Sequence, residues 1–317
     1  MTRPLCNCPV PEVISPALAL KPVGEQAGFV LDQCQVCKLA WTSPEPNEKQ
    51  LDQAYGESYY SSVETKFNPV IEWWTRFSAR RRARKLVHQH GTNSKKLKVL
   101  DIGCGRGVLL NGFRELGHEV LGIERAGSGF DTLADIESIS LQQLIDDKQR
   151  FDLIVLWHVL EHLPRPQQSL EQVHQLLNDN GSLFVEVPNY GGLQSRMFAA
   201  NWFHLDVPRH LFHFTPRSLA LMAAASGFST VRKSSFSLDQ NLYGFVQSAL
   251  NSLPLLPHNH LYSLLQSRFS VRTLCLLLLY SPLVVALSVF AMAELLISLL
   301  TNSGGVLSVQ LRKRNND

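Results

Sequence analysis

Along this chain the apolar residues gather into short runs divided by glycine, proline and small polar residues, and the spacing within those runs switches repeatedly between strand-like and helix-like. Val99-Leu100 with Ile102, His118–Ile123, Phe151–Trp157, Gly181–Val187, Phe228–Phe236 and Gly305–Arg312 read as strands. Phe151-Asp152-Leu153-Ile154-Val155-Leu156-Trp157 is almost unbroken, as a strand buried on both faces of a parallel sheet should be. The last run alternates Val306, Ser308 and Gln310 with Leu307, Val309 and Leu311. Helical spacing predicts a long helix over Glu64–His90, carried by Phe67, Val70, Ile71, Trp74, Phe77, Leu86 and Val87. Further helices are expected over Ser169–Asn178, stopped by Asn180-Gly181, and over Pro216–Gly227, started at Thr215-Pro216. Ala126–Ser140, with Gly127 and Gly129, follows no clean pattern.

Leu274–Leu300 is apolar apart from serines, Tyr280, Pro282 and Glu294, long enough for a membrane span. A single crossing is topologically awkward, because Val306–Leu311 must rejoin the sheet. The segment is therefore expected either to double back near Ser281-Pro282 or to lie in the interface as a monotopic anchor. Arg268, Arg272, Arg312, Lys313 and Arg314 flank it and suit anionic headgroups. The plainer reading is a helical pair covering the sheet or a dimer interface. The basic tail of the long helix, Arg80, Arg81, Arg82, Arg84 and Lys85, reads as a solvated face, with an anion or membrane patch as its alternative.

Composition narrows these options. The chain has 317 residues, 45% of them hydrophobic and 18% charged, with a net charge of +3, so no global field argues for nucleic acid. Met1–Pro11 lacks the apolar core of a secretory signal, and a cytoplasmic, reducing compartment is expected. There, paired cysteines read as metal ligands. Cys6-Asn7-Cys8 and Cys34-Gln35-Val36-Cys37 outline a four-thiolate zinc knuckle, the first pair one residue short of the usual spacing.

The densest chemistry lies at Lys98-Val-Leu-Asp-Ile-Gly-Cys-Gly-Arg-Gly107. Gly103, Gly105 and Gly107 predict a tight strand-to-helix turn whose bare backbone admits a polar ligand. Glu124, closing the next strand, stands where doubly wound sheets place an acid for ribose hydroxyls. This run, with Asp101 before the glycines, resembles the first motif of class I S-adenosylmethionine-dependent methyltransferases. The resemblance implies an α/β, Rossmann-like fold: a seven-stranded, mostly parallel doubly wound sheet with the last strand antiparallel. A zinc-knuckle module would precede it and a hydrophobic helical insertion would interrupt it before the last strand. It also implies that Asp101 orients the amino end of the methionine moiety, that Glu124 binds the ribose and that Asp135 reaches the adenine edge. Trp157 and His158 would line the adenine or methyl side.

His158-Val-Leu-Glu-His162-Leu-Pro164 resembles the phrase at the end of the fourth strand in the branch containing quinone-methylating enzymes, some of which hold a divalent ion there with an acid at the position of His158. The same letters fit an inverted zinc-protease motif, but Pro164 comes too early for the helix that motif needs. Pro208-Arg-His-Leu-Phe-His-Phe-Thr215 resembles a loop over the active site in the same branch, making His162, Arg209 and His210 the expected acceptor-side residues.

The expected organisation is a zinc-binding module over 1–50, a methyltransferase domain over 51–236 and 305–317, and the insertion over 237–304. The acceptor would be a small molecule, a sugar or a lipid-linked glycan, with the chain peripheral or monotopic on the inner face of the membrane and homo-oligomerisation left open. The competing readings are an NAD-dependent sugar-modifying oxidoreductase and a membrane-tethered scaffold without catalysis.

Overall fold

The computed structural model describes residues 14–19, 28–55, 69–91, 96–125, 130, 135–266 and 270–314. Cys6, Cys8, Arg268 and the expected helix start before residue 69 lie outside them. The chain runs β1 (Ile14–Ala19), β2 (Val30–Cys34), β3 (Ala40–Ser43), α1 (Glu48–Ala54), α2 (Pro69–His90), β4 (Lys98–Ile102), α3 (Val108–Glu115), β5 (Glu119–Ile123), β6 (Ile136–Glu137), α4 (Leu141–Asp146) and β7 (Phe151–Trp157). It continues through α5 (Pro166–Leu176), β8 (Leu177–Pro188), α6 (Leu193–Phe198), β9 (Phe212–His213), α7 (Pro216–Ala225), β10 (Phe228–Ser234), α8 (Leu238–Asn251), α9 (His260–Gln266), α10 (Val271–Thr301) and β11 (Val306–Lys313).

Two compact units result. The sheet unit comprises Glu57–Glu186, Met222–Lys233 and Val309–Asp317; the other comprises Met1–Gly56, Val187–Leu221 and Ser234–Ser308. Residues 187–221 therefore group with the N-terminal segment. The pairing of β9 with β3, Ala40 opposite His213 and Trp41 opposite Phe212, supplies the reason.

The sheet unit is built on a seven-stranded sheet in the order β10-β11-β8-β7-β4-β5-β6, mostly parallel with the last strands antiparallel. The order reverses beside β4: the chain leaves it for β5 on one side and later returns to place β7 on the other. That reversal opens a crevice at the carboxyl ends of the strands. Leu153, Ile154 and Leu156 on β7 have no exposed surface, as their unbroken apolar run requires. Ala83, Leu86 and Val87 of α2 pack with Val99, Phe113, Leu153, Val155 and Phe184.

Both parts of α2 are tied to this core by polar bonds. Arg106 of the glycine turn pairs with the buried Glu72 at 3.1 Å near the start of the helix. At the other end, Gln310 Nε2 donates to Gln89 O at 3.1 Å and Arg312 Nη2 to His90 O at 2.9 Å, satisfying carbonyls that the helix leaves open. The basic stretch of α2 is partly solvated; exposed Arg80, for example, pairs with exposed Glu115 at 3.2 Å.

Two expected boundaries shift. The helix read from Ser169 starts at Pro166, whose missing N–H is harmless in a first turn. Asn180-Gly181 is not the end of that helix but lies inside β8, where the register against β7 jumps from Phe151–Leu177 to Leu153–Ser182 and absorbs the extra residues.

In the other unit, β1-β2-β3-β9 form a four-stranded sheet. Phe29, Leu31, Trp202, Leu205 and Val207 form a core cluster. Phe245, Val246, Leu250, Leu261 and Ala291 gather α8, α9 and α10 into another. The expected reversal at Ser281-Pro282 does not occur, since α10 is one continuous helix of 31 residues with Pro282 inside it. Its lone acid, Glu294, is buried and accepts from Gln194 Nε2 at 2.9 Å and Ser298 Oγ at 2.5 Å.

Gln310→Ala leaves the Gln89 carbonyl and the Ser182 hydroxyl without the amide that both now meet. A loss of about 1–3 kcal/mol is expected, read as a lower urea midpoint at unchanged slope.

Candidate active site

At the crevice the chain turns from β4 into α3 through Gly103, Gly105 and Gly107, with φ of 66°, 52° and 68°. A Cβ on Gly103 would stand 2.5 Å from Val159 Cγ2, and one on Gly107 3.1 Å from Ile136 Cδ1, whereas Gly105 faces open space. The outer glycines thus allow close packing, and the middle one leaves the backbone bare toward a ligand. Gly103 N donates to Ile123 O at 2.8 Å, and Gly105 N donates to Glu124 Oε2 at 2.7 Å. The other oxygen of Glu124 accepts from Arg125 N at 2.9 Å. One carboxylate therefore joins the turn to the end of β5.

Asp101, just before the turn, is buried. Burial, then the charge of Glu124, pushes its carboxyl up to about 8. Burial and the same two carboxylates hold the Cys104 thiol well above its ordinary range, which removes it as a nucleophile.

A second cluster sits where β7 and β8 end. His158, at φ 51°, donates its backbone N–H to Glu186 O at 2.9 Å. Its ring lies between two buried carboxylates, Nδ1 3.3 Å from Glu161 Oε1 and Nε2 3.5 Å from Glu186 Oε1. Burial works against the imidazolium, but the hydrogen bonds and charges of Glu161 and Glu186 outweigh it and raise the group to about 9. His158 is therefore a cation at neutral pH, flanked by two acids.

The remaining expected donor-side residues have other company. Trp157 packs against the α2 core, and the Arg82 guanidinium lies over its ring, 3.3 Å from the centroid. Asp135 precedes β6 rather than closing it, and its carboxylate accepts from Arg114 Nε at 3.0 Å. His162 ends a short 3-10 turn, Leu160–His162, where the inverted zinc-protease motif would need a long helix.

Arg209 and His210 belong to the other unit. Arg209 Nε donates to both oxygens of Asp206, at 3.1 and 3.0 Å, and Nη1 to Ala54 O at 2.8 Å. The buried His210 has Nδ1 2.9 Å from His204 O, a distance at which Nδ1 donates to that carbonyl, and Nε2 3.8 Å from Asp206 Oδ2. Burial lowers His213 to about 3, so it is neutral. Thr42 of β3 ties this loop down, its Oγ1 donating to His210 O at 2.7 Å.

Sequence reading did not find Thr42, Asp206 or Glu186 as site residues. Glu186 closes an apolar strand at the crevice end, a signal that was available; Thr42 carries none, because its partner is distant in the chain. Cys34 and Cys37 are buried at the β2–β3 turn, where Lys38 adopts φ 64°.

A doubly wound sheet with an acid-flanked glycine turn at its order reversal is the architecture of class I S-adenosylmethionine-dependent methyltransferases. Residues 74–233, just over half of the chain, match the methyltransferase domain family, and the chain belongs to it. Over 107 residues it is 33% identical to a ubiquinone biosynthesis O-methyltransferase of Glaesserella parasuis, covering 29% of this chain and 45% of that protein. Over 182 residues it is 25% identical to a protein of the same name from Coxiella burnetii, covering 54% of this chain and 75% of that one. The chain thus spans less than half the length of the first of these relatives. A SAM dependent methyltransferase from Archaeoglobus fulgidus superposes at 19% identity with a TM-score of 0.47, over 75% of this chain and 94% of that one.

The His158 shift has a defined sign. Because its folded value is raised from 6.5 to about 9, the stability it adds is fully present below pH 6.5 and lost as pH rises through 9. In urea unfolding, the advantage of the native protein over His158→Gln is expected to shrink across that window by up to about 1.4 kcal/mol per pH unit.

Proposed function

We propose that the chain transfers a methyl group from S-adenosylmethionine to an oxygen of a small-molecule acceptor. The observation that carries this reading is the bare turn at Gly105 between Asp101 and Glu124. When bound, S-adenosylmethionine supplies an electrophilic methyl on sulfur. The residues fit such a donor: Glu124 uses one lone pair of each oxygen on backbone N–H groups, leaving two for a ribose diol. Asp101 accepts the amino end of the donor. The backbone at Gly103, Gly105 and Gly107 lets the donor lie against the turn without a side chain in the way.

We assign His158 to fixing Glu161 and Glu186, Trp157 to the packing of α2, and Asp135 to its bond with Arg114. His162 and His210 are assigned to the acceptor. With its proton on Nδ1, His210 is prepared to take the acceptor's proton at Nε2, with Asp206 steadying the resulting charge. Arg209 holds Asp206 in position. The relatives named for ubiquinone biosynthesis support O-methylation over a sugar or glycan acceptor.

Calorimetry separates this reading from its rivals. Binding of S-adenosylmethionine, and not NAD, is expected, abolished by Gly105→Arg. A buried carboxyl raised to about 8 must ionise to meet an ammonium group, so binding at pH 7 releases a proton, seen as heat that varies with the ionisation enthalpy of the buffer. Affinity for NAD alone overturns the reading.

The zinc module remains part of this proposal: Cys34 and Cys37, with Cys6 and Cys8, hold one zinc as thiolates. Metal analysis of the purified, reduced protein is expected to find one zinc per chain, falling on Cys37→Ser; a content near zero in the native protein removes the site.

A further inference from the structure

Helix α10 extends about 46 Å at the rise of an ideal helix and presents two very different sides. Leu277, Val284, Leu287 and Ala291 pack against α8 and α9, and Glu294, Leu295 and Ser298 are buried on the same stripe. The opposite side shows Leu278, Val289, Leu296 and Leu300, which are 62%, 67%, 57% and 83% exposed. Leu279, Val285, Phe290 and Ile297 widen it. From Thr273 to Thr301 the one charged residue is Glu294, and it is turned inward. Such a face is unstable in water and calls for a cover.

Its polar groups identify the cover. Every serine and threonine hydroxyl on the helix has a partner within the helix or its cap. At the border of the exposed face, Ser288 Oγ donates to Val284 O at 2.7 Å and Thr301 Oγ1 to Ile297 O at 2.7 Å. Ser281 is the most telling. Pro282 has no N–H to give to Leu278 O, and Ser281 Oγ donates to that same carbonyl at 2.8 Å. In water a freed carbonyl is solvated at little cost, whereas in hydrocarbon it must be satisfied from within the chain.

A second copy of the chain, or another protein, would be expected to find donors, acceptors and a polar rim on such a surface. This one offers almost none. Nor does α10 form a lone span, because the stripe containing Glu294 is occupied by its own unit along the helix.

We propose that the exposed face of α10 is a membrane-docking surface, the helix lying parallel to a lipid bilayer with this face sunk to the boundary of headgroups and acyl chains. Arg268, which precedes the helix in the sequence, and Arg272, in its first turn, suit anionic headgroups. The inference stands apart from the methyl-donor reading, since it concerns a surface that reading does not use.

The test is flotation of the full chain with vesicles of phosphatidylcholine and phosphatidylglycerol, in the absence of any methyl donor. The native chain is expected to float, and alkaline carbonate to release it. The combined change Leu278→Glu, Val289→Glu and Leu296→Glu is expected to cut partitioning about tenfold or more, with the helical circular dichroism retained. The matching triple alanine variant keeps helix propensity and should fall several-fold. The proposal is overturned if the native chain stays with the vesicle-free fraction, if both triple variants float like it, or if carbonate fails to release it, which marks a span. Light scattering that shows a lipid-free dimer broken by the same changes assigns the face to a second copy instead and equally overturns it.

Discussion

The carboxylate of Glu124 is the constraint on which the donor side depends. It closes β5, yet it accepts the N–H of Gly105 in the turn after β4, so two neighbouring strands deliver one rigid backbone loop. Left-handed φ at three glycines is affordable because each position is crowded or must stay bare; a side chain at Gly103 would run into Val159. The same compactness explains the electrostatics. Asp101 is buried beside the charge of Glu124, and burial first, then that charge, keeps its carboxyl protonated at neutral pH. A site built this way suits the proposed donor, which carries a positive group and a diol.

The His158 cluster follows a related logic with the opposite sign. Here the cation is part of the chain, and Glu161 and Glu186 gain a partner that permits their burial. Removing either acid would leave the ring with one carboxylate beside it in place of two; removing the ring would take from both acids the cation they share. The left-handed backbone at His158 is the conformational cost of aiming the ring between them.

Features coded locally were legible in the sequence. The glycine turn, the buried β7 run, the Glu124 strand end and the apolar character of α10 each rest on residues close together in the chain. Features coded by distant partners were not. The bond between Asp135 and Arg114 was not legible because Arg114 lies on another element. Pro282 looked like a reversal because local propensity takes no account of the Ser281 hydroxyl that compensates it. Asn180-Gly181 looked like a stop because the sheet, which absorbs the irregularity, is not written in those two residues. The bonds of Arg209 to Asp206 and to the Ala54 carbonyl were likewise not legible, since Ala54 is far away in the chain.

The pairing of β3 with β9 bears on how the chain is made. Thr42 and His210 are bonded across a separation of 168 positions, so β3 leaves the ribosome long before its neighbour exists. Until then it presents an open strand edge, a template for misassembly. Completion of the small sheet is a late event with a long loop to close, and slow translation or a holding chaperone in that interval should matter more to the yield of this protein than the intrinsic speed of its helices.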